Sequence, residues 1–283
     1  MSKTSMIKIG QLNTLTVVKE VDFGVFVDGG EDYGNILLPK RYVPKGTRLG
    51  DELEVFIYFD SQDEIIATTE KPLASVGQFA KLNCISTTPV GAFLNWGLPK
   101  DLLVPFSEQR MKMQENHSYL VYLYMDNASG RIVGTTKFNK FLDKTPARYK
   151  VGEQVHVTVV EQTDLGYKCA INDAHSGLIF KTEAFGKLFV GKSLKAFVKQ
   201  IREDGKIDLS LQKLGKGKVD DLADKVIRSL ELKDGFLPVT DKSSPTEIFE
   251  IFRTSKATFK KTIGSLYKER RIRIEKDGIY LIK

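Results

Sequence analysis

Residues Val21–Gly30 read VDFGVFVDGG, and sixty-seven positions later Thr88–Gly97 read TPVGAFLNWG, with a glycine and a phenylalanine at matching places. The flanking β-branched and aromatic residues mark a strand. A packed interior accounts for the aromatics but not for the glycine. Along an uninterrupted strand Phe23 and Phe26 would point to opposite faces, because side chains alternate. A turn or bulge centred on Gly24 resets that parity and sets both rings on one outer face, with Val25 and Val27 inward.

The same frame recurs along the chain. Ile9-Gly10, Val76-Gly77 and Val151-Gly152 each stand fourteen residues before a further glycine, Gly24, Gly91 and Gly166. A short apolar run follows in each case (Ile36–Pro39, Leu102–Pro105, Gly177–Phe180), then a longer one (Leu53–Phe59, Tyr119–Met125, Leu194–Ile201). IIATT at Ile65–Thr69, IVGTT at Ile132–Thr136 and IDLS at Ile207–Ser210 close the units. VHVTVV at Val155–Val160 alternates as a half-buried strand does. Four or five such strands in each unit predict a small closed β barrel, which hides its own edges.

The chain has 283 residues, 41% hydrophobic and 28% charged, as in ordinary globular proteins. Its net charge of +7 favours a polyanionic partner. No secretory h-region follows Met1, no apolar run is long enough to span a bilayer, and the two cysteines, Cys84 and Cys169, lie in different repeats. These features predict a reduced, cytoplasmic protein with no membrane partner.

FGVFV at Phe23–Val27, VGAFL at Val90–Leu94, LVPFSE at Leu103–Glu108, GLIFKTE at Gly177–Glu183 and GRIVGTT at Gly130–Thr136 resemble the S1 RNA-binding domain, a five-stranded OB-fold barrel. That resemblance implies aromatic, histidine and late-arginine positions that contact single-stranded nucleic acid. Carried over, the first repeat offers Phe23 and Phe26, with Pro39 and Glu64 at the histidine and arginine places. The second offers Phe93 and Arg131, with Val90 and Pro105 elsewhere. The third offers Phe180 and Lys206, with Leu165 and Lys168 where phenylalanines would stand. Tyr33 and Trp96, in glycine-containing loops, are expected to be exposed and to join the platform.

After Gly215 the pattern changes. Leu222, Val226 and Leu230 recur at helical spacing, and Ser244-Pro245-Thr246-Glu247 reads as a capping box. A further helix is predicted from Ser255, with Phe259, Ile263, Leu266 and Tyr267 on one face. RIRIEKDGIYLI at Arg271–Ile282 reads as a hairpin turning at Asp277-Gly278. The expected fold is therefore mainly β: three tandem S1/OB-fold barrels (residues 1–71, 72–144 and 145–214), then a small α+β winged helix-turn-helix domain (215–283). This combination, with DKSSP at Asp241–Pro245, resembles the conserved virulence factor B family of bacterial RNA-binding proteins.

Charge is unevenly spread. Residues 1–71 carry 8 Lys+Arg against 12 Asp+Glu, a net of −4; residues 72–150 carry 10 against 5, a net of +5. Residues 214–283 carry 16 against 11, and Arg253–Arg273 holds Arg253, Lys256, Lys260, Lys261, Lys268, Arg270, Arg271 and Arg273 against Glu269 alone. Backbone contacts are thus expected on the second repeat, on the basic stretch Arg131–Lys150 and on the tail.

GKLFVGKS at Gly186–Ser193 matches the phosphate-binding G-x-x-x-x-G-K-[ST] pattern, but the residues after it align with a barrel strand rather than a helix. His117, His156 and His175 are scattered, and no metal-spaced cluster or nucleophile motif occurs. The expectation is a non-catalytic regulator that binds single-stranded RNA and needs no cofactor. The alternatives are a DNA-binding regulator using the winged helix, or a protein adaptor built on degenerate barrels.

Overall fold

The computed structural model describes residues 6–184, 188–212, 217–252 and 254–282, with the backbone alone for 217–221. It is mainly β, with three closed five-stranded barrels and a C-terminal winged helix domain. The first barrel is built from β1 (Leu12–Val21), β2 (Gly24–Asp28), β3 (Asn35–Pro39), β4 (Glu52–Phe59) and β5 (Ile65–Thr68), closed in the order β1-β2-β3-β5-β4. A four-residue helix, α1 (Gly30–Tyr33), joins β2 to β3. The second uses β6 (Phe79–Thr88), β7 (Gly91–Asn95), β8 (Leu102–Pro105), β9 (Ser118–Met125) and β10 (Ile132–Thr135). The third uses β11 (Gln154–Gln162), β12 (Gly166–Ile171), β13 (His175–Phe180), β14 (Ser193–Ile201) and β15 (Ile207–Ser210). The chain divides after Leu142 into two compact units, with the first two barrels in one and the third barrel and tail in the other.

The repeated glycine has a steric cause. Val21 pairs with Gly24 across a two-residue turn, Asp22-Phe23, and β2 then runs close over β3. A Cβ on Gly24 would lie 2.3 Å from the carbonyl oxygen of Leu38, one on Gly91 2.4 Å from that of Val104, and one on Gly166 2.1 Å from that of Ile179. The parity change expected around Gly24 therefore arises from the turn. The bulge sits on the partner strand instead, between Val17 and Lys19, and recurs between Cys84 and Ser86 and between Val159 and Glu161. Val25 and Val27 point into the barrel, as the reset parity requires.

Each barrel has its own core, around Val27, Leu38 and Val55 in the first and Val157, Ile179 and Leu209 in the third. The second core is wider, because Phe56 and Tyr58 of β4 join it from the first barrel. β4 is thus buried on both faces: Val55 and Ile57 fill the first barrel while Phe56 and Tyr58 fill the joint with the second.

The tail comprises α2 (Gly217–Glu231), β16 (Phe236–Leu237), α3 (Pro245–Phe252), α4 (Lys256–Lys268), β17 (Ile272–Ile274) and β18 (Ile279–Leu281). The capping box closes α3 in both directions: Ser244 N donates to Glu247 Oε2 at 2.7 Å and Glu247 N to Ser244 Oγ at 3.2 Å. Ser255 caps α4 by accepting from Thr258 N at 3.1 Å. Two details depart from expectation. The ribbon has a third strand, because β16 pairs with β18, and Tyr267 is 55% exposed while Thr262 takes the buried place on α4. The connection at Gly215-Lys216 lies outside the described residues. Among the described residues, no helix is long and apolar enough to cross a membrane.

Both cysteines are buried, and burial pushes the Cys169 thiol up to about 12 and raises that of Cys84. Neither thiol is expected to react with an alkylating reagent at pH 8 until denaturant unfolds the chain, as a timed mass-spectrometric labelling series would record. Gly91→Ala is expected to destabilise the first unit by about 2–3 kcal/mol in urea titration, since backbone must shift to admit the methyl group.

Candidate nucleic-acid interface

Strand register places equivalent residues of the three barrels at equivalent points. Phe26 pairs with Leu37, Phe93 with Leu103 and Lys168 with Leu178. The next strand adds Ile66, Val133 and Asp208 in turn. The turn before each paired glycine presents Phe23, Val90 or Leu165, which are 60%, 61% and 67% exposed. Each barrel therefore has one outward face with a projecting turn residue and a strand residue behind it; the floor is apolar in the first two barrels and pairs Leu178 with the Asp208 carboxylate in the third. Pro39, Pro105 and Phe180 pair with the three glycines at its edge.

On the first barrel Phe23 and Phe26 meet edge to face, with ring centroids 6.4 Å apart. Phe26 is half-buried, and the Lys19 ammonium lies 5.9 Å from its centroid. Tyr33 sits on α1 and is 37% exposed.

On the second barrel Phe93, Val90 and Leu103 line a cleft of about 160 Å³ whose rim carries Lys100 and Arg131. Asp63, from the β4–β5 turn of the first barrel, bonds both cations: Lys100 Nζ to Oδ1 at 2.7 Å and the Arg131 guanidinium to Oδ2. The hydrogen bond from Lys100, with the charges of Lys100 and Arg131, holds the Asp63 carboxyl below its usual range against a smaller opposing effect of desolvation. Lys100 was not among the residues expected from the sequence, because no motif marks its loop.

Trp96 corrects an expectation. It is 3% exposed, packed edge-on against Phe56 at 5.8 Å and Tyr58 at 6.5 Å, and its indole N–H donates to the Lys100 carbonyl at 2.6 Å. It belongs to the joint between the first two barrels and is buried there rather than projecting as an exposed platform ring.

On the third barrel, Leu165, Lys168 and Leu178 form part of a groove of about 880 Å³, walled on one side by the chain at Asp143–Ala147. That wall is held by His175, which is buried: Nε2 lies 2.8 Å from the Thr145 carbonyl and Nδ1 lies 2.9 Å from the Tyr149 hydroxyl. Two cations on this face have carboxylate partners. Arg202 bonds Asp208 at 3.1 and 2.8 Å while lying 5.6 Å over Phe180, and Lys206 bonds Asp204 at 2.7 Å.

In the tail, Lys260, Lys261 and Lys268 share the solvent face of α4 with Gly264, where an added Cβ would meet nothing within 4 Å. Lys260 stands 3.4 Å from Asp241, and Lys256 donates to the Lys242 carbonyl at 3.3 Å. Lys261, Lys268, Arg270 and Arg271 are exposed and have no ion-pair partner among the described residues. Arg253 lies outside the described residues, as do Gly186 and Lys187 of the phosphate-loop pattern. The end of that pattern opens a strand: Ser193 begins β14, so no helix N-terminus faces it. Among the described residues no group of three or more His, Cys, Asp or Glu could hold a metal ion.

Residues 9–70 match the family model described as S1 domain, and residues 224–281 match the one described as CvfB-like winged helix domain. The uncharacterized protein YitL of Bacillus subtilis is 27% identical over 98% of this chain and 95% of its own length. Conserved virulence factor B of Staphylococcus epidermidis is 28% identical over 83% of this chain and 81% of its own. A Streptococcus pneumoniae crystal structure, described as a multidomain protein with nucleic acid binding domains, is 25% identical with a TM-score of 0.41, covering 97% of this chain and 98% of that one. Both matched domain types are of the nucleic-acid-binding kind.

The burial contrast sets an expected outcome. Trp96→Ala should cost about 3–5 kcal/mol in urea unfolding, the range for emptying a large aromatic site. Phe93→Ala should keep a cooperative thermal transition while weakening oligonucleotide binding by ~1–3 kcal/mol in fluorescence anisotropy.

Proposed function

The chain is a relative of the conserved virulence factor B proteins, and from that premise we propose that it is a non-catalytic, single-stranded RNA-binding protein acting in post-transcriptional control in the cytoplasm. The observation that carries the reading is the shared register of the three barrel faces. Bases would stack on Phe23 and Phe26, and on Phe93 beside Arg131; the third barrel, taken by itself, would offer Lys168, Phe180 and Lys206. Four modules, residues 1–71, 72–144, 145–214 and 215–283, would each contribute weakly. Linked sites gain through effective concentration, so weak individual faces suffice for useful affinity.

A second reading is favoured by one observation, the solvent face of α4. If α4 served as a recognition helix, Lys260, Lys261 and Lys268 would face the duplex groove, with Arg270 and Arg271 following. Lys256 would approach a phosphate at the start of that helix.

Anisotropy titrations with single-stranded RNA, single-stranded DNA and duplex DNA of one length, across a salt series, separate these readings. The proposal expects single strands to bind more tightly, RNA above DNA, with a log–log salt slope of about −0.7 per phosphate neutralised. Preference for the duplex would transfer the function to the tail. Undetectable or salt-insensitive binding to all three would favour a protein partner.

A further inference from the structure

Asp63 occupies the cation pair on the second barrel in the manner of a nucleic-acid phosphate. Its two carboxylate oxygens are divided between two donors, Lys100 on Oδ1 and Arg131 on Oδ2. Two non-bridging phosphate oxygens would present the same fork. The donors border the cleft that holds Phe93 and Val90, so an anion seated there would carry its neighbouring base against the aromatic face. We propose that Lys100 and Arg131 form a phosphate seat of the single-strand path, and that Asp63 of the first barrel is its resident competitor, displaced when a strand binds.

The side chain of Asp63 is not needed for its own turn. That turn is held by Asp60, whose Oδ1 accepts from Gln62 N at 2.8 Å and Glu64 N at 3.0 Å. Nor is Asp63 needed for the joint between the barrels, which rests on Phe56, Tyr58 and Trp96. The three charged groups remain open to water, with side-chain exposures of 33% for Lys100, 42% for Asp63 and 53% for Arg131. Pairs this exposed contribute little to stability and exchange partners readily. The cost of displacement is thus small enough for one phosphate to meet.

The inference rests on the single-strand reading above, and its test separates the two. Asp63→Asn removes the competing charge and keeps the side-chain shape. Asp63→Gly removes it while suiting the positive backbone angle, φ 64°, and serves if the first variant is unstable. Glu54→Gln, near the exposed start of β4, makes the same change in net charge away from the cleft. With a fluorescent single-stranded oligonucleotide, Asp63→Asn is expected to bind about fivefold more tightly than the native chain. Its salt slope should steepen by ~0.7 for each cation released to phosphate. Glu54→Gln should leave both close to native, and adding Arg131→Ala to Asp63→Asn should abolish the gain. Equal or weaker binding by both Asp63 variants, with native thermal midpoints, overturns the proposal.

If no oligonucleotide binds any form, the single-strand reading fails and the seat is judged by pyrophosphate alone. Titration followed by NMR at the Arg131 Nε–H should then shift at lower pyrophosphate concentration in Asp63→Asn than in the native chain. No shift in either overturns the seat as well.

Discussion

The fold depends on a close approach of backbone to backbone. In each barrel the second strand starts so near a carbonyl of the third that only a hydrogen fits between them, at Gly24, Gly91 and Gly166. That contact seats the second strand on the third directly after the first turn and so fixes which side chains face outward. It also explains why the turn residue just before the glycine projects to a similar extent in all three repeats although its identity changes from Phe23 to Val90 to Leu165. The backbone thus preserves the shape of the face while the side chains on it diverge. A face can lose an aromatic without losing its geometry, as Lys168 illustrates by pairing with Leu178 just as Phe26 pairs with Leu37.

Much of this arrangement was legible in the sequence. Offsets between glycines located the barrels, and the capping box located α3, because both are local rules with a steric or hydrogen-bond cause. The joint between barrels left a fainter mark. Val55-Phe56-Ile57-Tyr58 lacks the polar alternation of a one-sided strand, which signals burial on both faces. That run marks one half of the joint but not its partner, and Trp96 is accordingly expected from the sequence to be exposed and to join the platform. Asp63 and Lys100 gave no signal, since an acidic turn and a lone lysine are common and only the packing of two barrels brings them together. Local determinants leave a mark in the sequence, whereas contacts between repeats leave a fainter one or none.

The charge count also changes meaning once partners are known. The second repeat is strongly basic by composition, yet Lys100 and Arg131 face a carboxylate supplied by its acidic neighbour, and Lys140 bonds Glu108 at 2.7 Å. In the third barrel Arg202 and Lys206 face Asp208 and Asp204. Such pairs are dipoles with little field beyond ~10 Å at 0.1 M salt. Attraction at a distance must come from charge without a local counterpart, which on α4 and just after it means Lys261, Lys268, Arg270 and Arg271.

Two kinds of cation therefore do different physical work. Unpaired charges on the tail raise the local concentration of any polyanion, and salt weakens them without regard to base sequence. Paired charges on the barrels would act only at contact, where a phosphate would have to outcompete a carboxylate already in place. The competition is close to balanced for exposed pairs, so its outcome turns on what else the strand gains at the same moment. A base stacked on Phe93 would add ~1–3 kcal/mol, enough to offset the ~0–1 kcal/mol that each of the two exposed Asp63 pairs represents. A polyanion lacking an unstacked base gains nothing to offset the exchange. The carboxylates on the barrel faces would in this way turn a generally basic chain into one that distinguishes an unpaired strand from any other source of negative charge.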